Sequence, residues 1–431
     1  MAERGKGRFF VQAVCFLLGF FVLFAALSRL LNDKMGLKYD GEFFSGGQQY
    51  QVLFFGSSHM FNGVLPLQLY RDYGIAGYNL GMTNEYPSTT YWRMQDALNR
   101  QTPDLVVVDV YRALAGDKIG QTDSDLAFLH NSMDSMPLSL TKVQALADIL
   151  DAKPWDMDQL FNFLFPLAQF HSRYNALTED DYHPYLMETK GAMPLRVHHA
   201  GSALPLDQVP AGQTAPLDSA VGEAYLRRMV ELCAGKEIPI LLLVLPYQAP
   251  AGELARLNSI AALADEYPNA GYLNLLYADV VDPATDFADT EGHLNSAGAA
   301  KVTDFLGRWI CDRYSLADCR QDPAFDGWQQ NLLAVQRQQV NSLAGADRVT
   351  ALMLLVGQDL PFTVQLSAAA LEDPATLSLL ETLGVPEETL AAGGTLCWQS
   401  PGAPAQFGSG DSILVFDPQT GAELGRAEQL G

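Results

Sequence analysis

Basic residues are scarce in this chain: 27 lysines and arginines stand against 50 aspartates and glutamates in 431 residues, a formal net charge of −23. A broad cationic face able to neutralise phosphates is excluded, and nucleic acid with it as a partner. The acidity itself reads as a solvated surface. Cysteine is sparse, at five, with no CxxC pair, and no HExxH motif occurs, so no spacing supports a zinc site and no metal is expected. Cys311 and Cys319 are compatible with either a small disulfide loop or two unpaired thiols. There is no internal repeat and no low-complexity tract. With 48% hydrophobic and 18% charged residues the composition is globular, and core size is not limiting.

Charge is also absent from the twenty residues between Arg8 and Arg29, where only Gln12 and Ser28 are polar. That length spans a bilayer core as a helix. Arg4, Lys6 and Arg8 precede it, which predicts a cytoplasmic N-terminus and an exported main body. A cleavable signal peptide is the rival, with Ala26-Leu27-Ser28 as its cleavage site, but the apolar core is longer than such peptides carry, favouring an uncleaved anchor over residues 1–31.

Residues 32–48 read as a polar stalk. Apolar, β-branched runs follow at Gln51–Phe55, Ala76–Leu80, Leu105–Val110, Ile238–Leu245 and Gly271–Leu276, alternating with helical patterns at Ser88–Arg100, Val221–Gly235 and Pro250–Tyr267. This is the signature of an α/β domain, here 49–320, with a parallel sheet covered on both faces. Function gathers at the carboxyl ends of such strands. The alternation breaks over 113–219, which holds helical segments at Leu138–Ala152 and Asp156–Ala168 and a polar loop through 198–216; an insertion of this length is expected to lie over the strand ends. A helical connector over 321–345 leads to a small α+β module, 346–431, with strand-like runs at Thr350–Val356, Phe362–Leu366, Leu396–Trp398 and Ser412–Phe416 and a helix at Pro374–Leu383.

Two distant pieces carry chemistry. Tyr50–Phe55 is an apolar run that stops at Gly56-Ser57-Ser58, which delivers a serine to a sheet edge with His59 opening the next element. More than two hundred residues later, Asp286-Phe287-Ala288-Asp289-Thr290-Glu291-Gly292-His293 sets a histidine just after acidic residues and before the amphipathic helix Ala300–Arg313. Serine, histidine and carboxylate are the three parts of an activated-serine site: the base takes the hydroxyl proton, and the carboxylate holds the tautomer that leaves Nε2 free. Ser58, His293 and Asp289 are the candidates, with Glu291 and Asp286 as alternatives for the carboxylate.

The strand–Gly-Ser-Ser turn, a glycine after the second strand and an acidic–x–His loop running into a helix resemble the SGNH/GDSL hydrolase superfamily. The chain is more similar still to its membrane-anchored envelope branches, the alginate O-acetylation proteins and the teichoic acid D-alanylation protein. It also resembles an anchored SGNH-like group of Gram-positive bacteria, through FHSRYNALTEDDY (Phe170 to Tyr182), LLLVLPY (Leu241 to Tyr247) and GHLNSAGAAKVT (Gly292 to Thr303). The resemblance covers about 48–315 and implies a three-layer, flavodoxin-like SGNH domain with Ser58 as nucleophile and His293 as base. It also implies an oxyanion hole built from the backbone N–H groups of Ser58 and Gly81. Two departures stand out. The asparagine expected after the third strand is absent, replaced by Tyr111-Arg112-Ala113, so Asn84 or Arg112 would have to substitute. The usual acidic position three before histidine is Thr290, and Asp289 stands four before.

The expected function is a membrane-anchored, extracytoplasmic serine esterase or O-acyltransferase acting on envelope carbohydrate or another acyl acceptor, with no cofactor. The resemblance implies a multi-spanning membrane-bound O-acyltransferase as a partner. The alternative is a catalytically weak or inactive SGNH-like domain that binds envelope polysaccharide or scaffolds an acylation complex. His59, Arg112, His171 and Arg173 are candidate substrate-binding residues, although for His171 and Arg173 structural pairing with the acids of Thr178–Tyr182 is the favoured role.

Overall fold

A computed structural model describes residues 2–32, 35–114, 123–150, 157–182, 188–199 and 209–430. The chain forms two compact units: Gly47–Asp117 with Glu188–Gly431, and Met1–Gly46 with Lys118–Met187. The stretch expected as one insertion over 113–219 is thus divided between them. The centre of its polar loop, 200–208, lies outside the described residues, as do 115–122, 151–156 and 183–187.

The larger unit is built on five parallel strands, β1 (Val52–Phe55), β2 (Gly77–Asn79), β3 (Leu105–Asp109), β4 (Ile240–Val244) and β5 (Ala270–Asn274), in the order β2-β1-β3-β4-β5. Register is set by pairs such as Leu53↔Val106 and Val107↔Leu241. Every residue of β1 to β4 is buried, because helices cover both faces. The order is the doubly wound one, and the chain turns left from β1 to β2 and right from β3 onward. A crevice therefore opens at the carboxyl ends of β1 and β3, the switch point where such sheets bind ligands. On one face of the sheet Val52, Phe54, Val107, Leu241 and Leu243 pack with Val302, Leu306 and Ile310 of helix Ser296–Arg313.

Four antiparallel strands, β6 (Phe362–Leu366), β7 (Leu396–Gln399), β8 (Ser412–Phe416) and β9 (Glu423–Glu428), form a second sheet in the order β7-β6-β8-β9. The expected strand at Thr350–Val356 is instead the helix Arg348–Leu355, capped by Asp347, whose carboxylate accepts from the Thr350 N–H at 3.0 Å. A continuous apolar run has no period to separate buried helix from buried strand, and Ala, Leu and Met favour helix. Its core is continuous with the first domain: Ala297 and Ala300 pack with Leu352, Leu354 and Val364. β9 carries Glu423, Arg426 and Glu428, which pair along its exposed face, so it shows no apolar alternation to read.

In the smaller unit the N-terminal segment is one helix, Ala2–Leu31, of which Phe9–Leu31 is long and apolar enough to cross a membrane. Part of the expected stalk is the helix Met35–Ser45, held by buried Phe43 and by buried Asp40, which accepts from the Ser135 hydroxyl at 2.8 Å. Short helices at Asp123–Met133, Leu140–Leu150, Met157–Leu164, Pro166–Phe170 and Glu179–Tyr182 complete it.

Candidate functional site

β1 is followed by Gly56, whose φ of +138° lies where side chains are strained; a Cβ there would meet the Asp109 Cβ at 2.6 Å. Glycine is what lets the chain turn tightly over the end of β3. Ser57 then caps the helix Ser58–Gly63, accepting from the His59 N–H at 3.3 Å and donating its hydroxyl proton to Asp109 Oδ2 at 2.8 Å. The Asp109 carboxylate also accepts from the Tyr111 N–H at 3.0 Å, so one buried group ties the serine turn to the chain leaving β3. Burial pushes its pKa up to about 6, against these hydrogen bonds.

The turn presents Ser58 Oγ 2.8 Å from His293 Nε2. On the other side of the ring, His293 Nδ1 lies 2.7 Å from Asp289 Oδ2. With the proton on Nδ1, donated to that carboxylate, Nε2 is left as acceptor for the serine hydroxyl. The extra residue between Asp289 and His293 is absorbed by a tight turn in which Asp289 Oδ1 accepts from the N–H groups of Glu291 (2.9 Å) and His293 (3.2 Å). Gly292 closes it at φ +89°, where a Cβ would meet the Gln248 backbone nitrogen at 2.8 Å. Burial raises the Asp289 pKa, but the hydrogen bonds from His293 and Glu291 outweigh it and hold the carboxyl below its usual value. The two alternative carboxylates are placed otherwise. Asp286 is buried in an ion pair with Lys301 at 2.8 Å, and Glu291 is exposed.

The loop is fixed from below by Asn295, which caps helix Ser296–Arg313 through the N–H groups of Ala297 and Gly298 and donates to the carbonyls of Thr285 and Phe287. A segment from Lys190 to His199 fastens it further. Within it the Leu195 carbonyl accepts from Ser296 and the His199 N–H donates to Phe287.

His59 is 5% exposed and packed in an aromatic socket. Its ring stacks on Tyr111 at 4.1 Å, lies 5.5 Å from Tyr247 and meets the His293 ring edge-on at 5.1 Å. Burial, with smaller contributions from His293 and Arg112, lowers its pKa to about 3, so it is neutral at physiological pH. Its Nδ1 is buried and has no hydrogen-bond partner among the described residues.

Of the remaining sequence-derived candidates, Gly81 is buried after β2, but its N–H donates to Asn79 Oδ1 at 3.1 Å instead of standing free beside that of Ser58. Asn84 is partly exposed with a left-handed backbone, φ 52°, and no hydrogen bond ties its amide to the described residues. The Arg112 guanidinium lies 4.9 Å over the Tyr86 ring, with Nε buried and unpartnered among the described residues. His171 and Arg173 belong to the smaller unit. His171 Nδ1 lies 2.9 Å from the Ala168 carbonyl oxygen, and Arg173 pairs with Asp181 at 2.8 Å, within the acidic stretch expected as its partner. Asp109, Asn79 and Asn295 were not singled out from sequence. The signal for Asp109 was there, an acid closing an otherwise apolar strand. Among the described residues all five cysteines are free, Cys311 and Cys319 included, and no cluster of metal-ligating side chains occurs.

No protein-family model and no curated protein matches the chain. Among solved structures, a candidate platelet activating factor from Streptococcus pneumonia is similar at 13% identity and a TM-score of 0.33, over 70% of this chain and 99% of its own. A candidate acylhydrolase from Bacteroides fragilis is similar at 12% identity and a TM-score of 0.34, over 65% of this chain and 98% of its own. At those scores neither likeness bears on function.

Proposed function

We propose that the chain is a membrane-anchored, extracytoplasmic serine esterase or O-acyltransferase of SGNH type that acts on envelope carbohydrate. The observation that carries the chemistry is the unbroken line from Ser58 Oγ through the His293 ring to the Asp289 carboxylate, at 2.8 and 2.7 Å. His293 Nε2 takes the Ser58 proton as Oγ attacks an ester carbonyl, and Asp289 stabilises the imidazolium. The Ser58 N–H, in the first turn of its helix and without an intrahelical acceptor, faces the developing oxyanion. Collapse returns the proton to the departing alkoxide and leaves an acyl-serine. Water or a sugar hydroxyl, deprotonated by the same ring, releases the acyl group and restores the serine. The apolar span supports anchoring, and the basic residues before it support an external main body. Envelope carbohydrate, and a membrane-bound O-acyltransferase as acyl supplier, rest on the family resemblance.

A second reading, a catalytically weak domain that binds envelope polysaccharide, is favoured by one observation: the Gly81 N–H is spent on Asn79. One missing oxyanion donor weakens such sites by about 10²–10³-fold in kcat. The full chain in detergent, treated with a fluorophosphonate probe, separates the two. The esterase predicts labelling that disappears in Ser58→Ala and His293→Ala. A folded wild type that binds polysaccharide yet stays unlabelled makes the second reading the correct one.

A further inference from the structure

We propose that helices Met157–Leu164 and Pro166–Phe170, with the turn His171–Asn175, form a collar embedded in the interfacial layer of the bilayer that Phe9–Leu31 spans. The partner of this surface is lipid. The inference rests on the anchored reading above, and its argument lies wholly within the smaller unit.

The collar is fastened to the carboxyl end of the span. Arg173 Nη1 donates to the carbonyl oxygens of Leu31, at 2.9 Å, and Asn32, at 2.5 Å, where a helix leaves acceptors without intrahelical donors. Its Nη2 is neutralised by Asp181. From that point the collar runs back along the span, and the Phe165 ring packs against Phe24 with centroids 5.9 Å apart. Phe24 stands seven residues before Leu31, about 10 Å back along the axis at a rise of about 1.5 Å per residue. The 23-residue span is about 35 Å long against a hydrocarbon core of about 30 Å, so little of that depth is surplus length. A side chain held at Phe24 is at the level of the upper acyl chains whenever the helix crosses.

The collar also has the two faces such a position needs. Phe163 is fully buried and stacks on His130 at 3.9 Å, while Phe161, two residues away and on the opposite side of the helix, is 51% exposed. Phe161 touches Phe165 at 4.6 Å, which extends the apolar surface outward from the span. Tyr174 and Tyr182 are 72% and 58% exposed nearer the span's end, the side chains that favour the membrane–water boundary. In water this surface would be uncovered; beside a transmembrane helix it is covered by lipid, as interfacial helices are.

The test uses the full chain in phosphatidylcholine nanodiscs whose lipid carries a diazirine in the upper acyl chain. After photolysis, adducts are mapped by mass spectrometry. The expected result is lipid adducts on peptides from Phe9–Leu31 and also from Met157–Phe170. Phe161→Ser, an exposed position that leaves the fold intact, should cut the collar adducts by about threefold or more with span adducts unchanged. Adducts confined to the span overturn the collar and leave the anchor standing. The absence of adducts on the span overturns the anchor and the collar together.

Discussion

The larger unit contains two sheets built by opposite logic. In the parallel sheet β1 to β4 are buried on both faces, and every connection returns the chain to the same edge. Gly56-Ser57-Ser58, Asn79 and Asp109 therefore emerge side by side although they come from three strands. In the antiparallel sheet successive strands reverse, so their ends scatter over two edges, and of β9 only Ala427 is buried. That sheet gathers no polar cluster resembling the serine turn. Polar groups have different work in the two places. Ser57 and Asp109 spend buried hydrogen bonds on orienting Ser58, whereas Glu423, Arg426 and Glu428 pair at the surface of an edge strand. Parallel topology concentrates chemistry; antiparallel topology here supplies packed area.

The contrast can be broken or sharpened by substitution. Asp289→Asn keeps the shape of the loop but favours the wrong imidazole tautomer, and kcat on a soluble ester should fall by about 10⁴-fold. A loss below tenfold would mean that Ser58 and His293 work as a dyad. On the other sheet, Leu366 is fully buried, so Leu366→Ala should cost about 2–5 kcal/mol in chemical denaturation. The rate of fluorophosphonate labelling should stay at the wild-type value. If labelling falls with stability, the module supports the site as well as the fold.

The third test concerns Asp109, whose pKa is raised from its ordinary 3.8 to about 6 by burial. The folded state then holds more protons than the unfolded state between those values. Stability from this group is greatest below the window and falls as pH rises through it, by about 3 kcal/mol in all. Measured from pH 3.5 to 7, the unfolding free energy of the wild type relative to Asp109→Asn should show that decline. An unchanged slope in the variant would refute the role given to burial. The smallest effect is expected at His59. His59→Phe keeps the stack on Tyr111 and removes an unpartnered buried nitrogen, which should raise stability by about 1 kcal/mol with kcat within tenfold of wild type. A collapse of kcat with a stable fold would make His59 a reacting group.

Much of the site could be read in one dimension, because an apolar run ending at Gly56-Ser57-Ser58 and an acidic loop ending at His293 are local patterns with local causes. The run shows a buried strand, and the glycine shows a turn. The fully apolar segment Thr350–Val356 resisted reading because buried helix and buried strand look alike without a period. β9 resisted because its side chains answer to a neighbouring strand and to solvent. The distance from Ser58 to His293 was not local at all. It depends on helix Ser296–Arg313 docking beneath the sheet, and on the Lys190–His199 segment holding the loop above it.

By itself, then, the sequence determined the strands of the parallel sheet, the strand that ends in serine, the loop that carries the histidine, and an N-terminal helix apolar enough for a bilayer. These follow from hydrophobic period, backbone preference and the length of an uncharged run. Only the tertiary structure decided that Asp289 reaches Nδ1 across four residues and that Asp109 buttresses the serine turn. It also decided that the Gly81 N–H is already occupied and that Phe165 lies against the span. Each of those depends on which groups other than water are near, and nearness across the chain is set by packing.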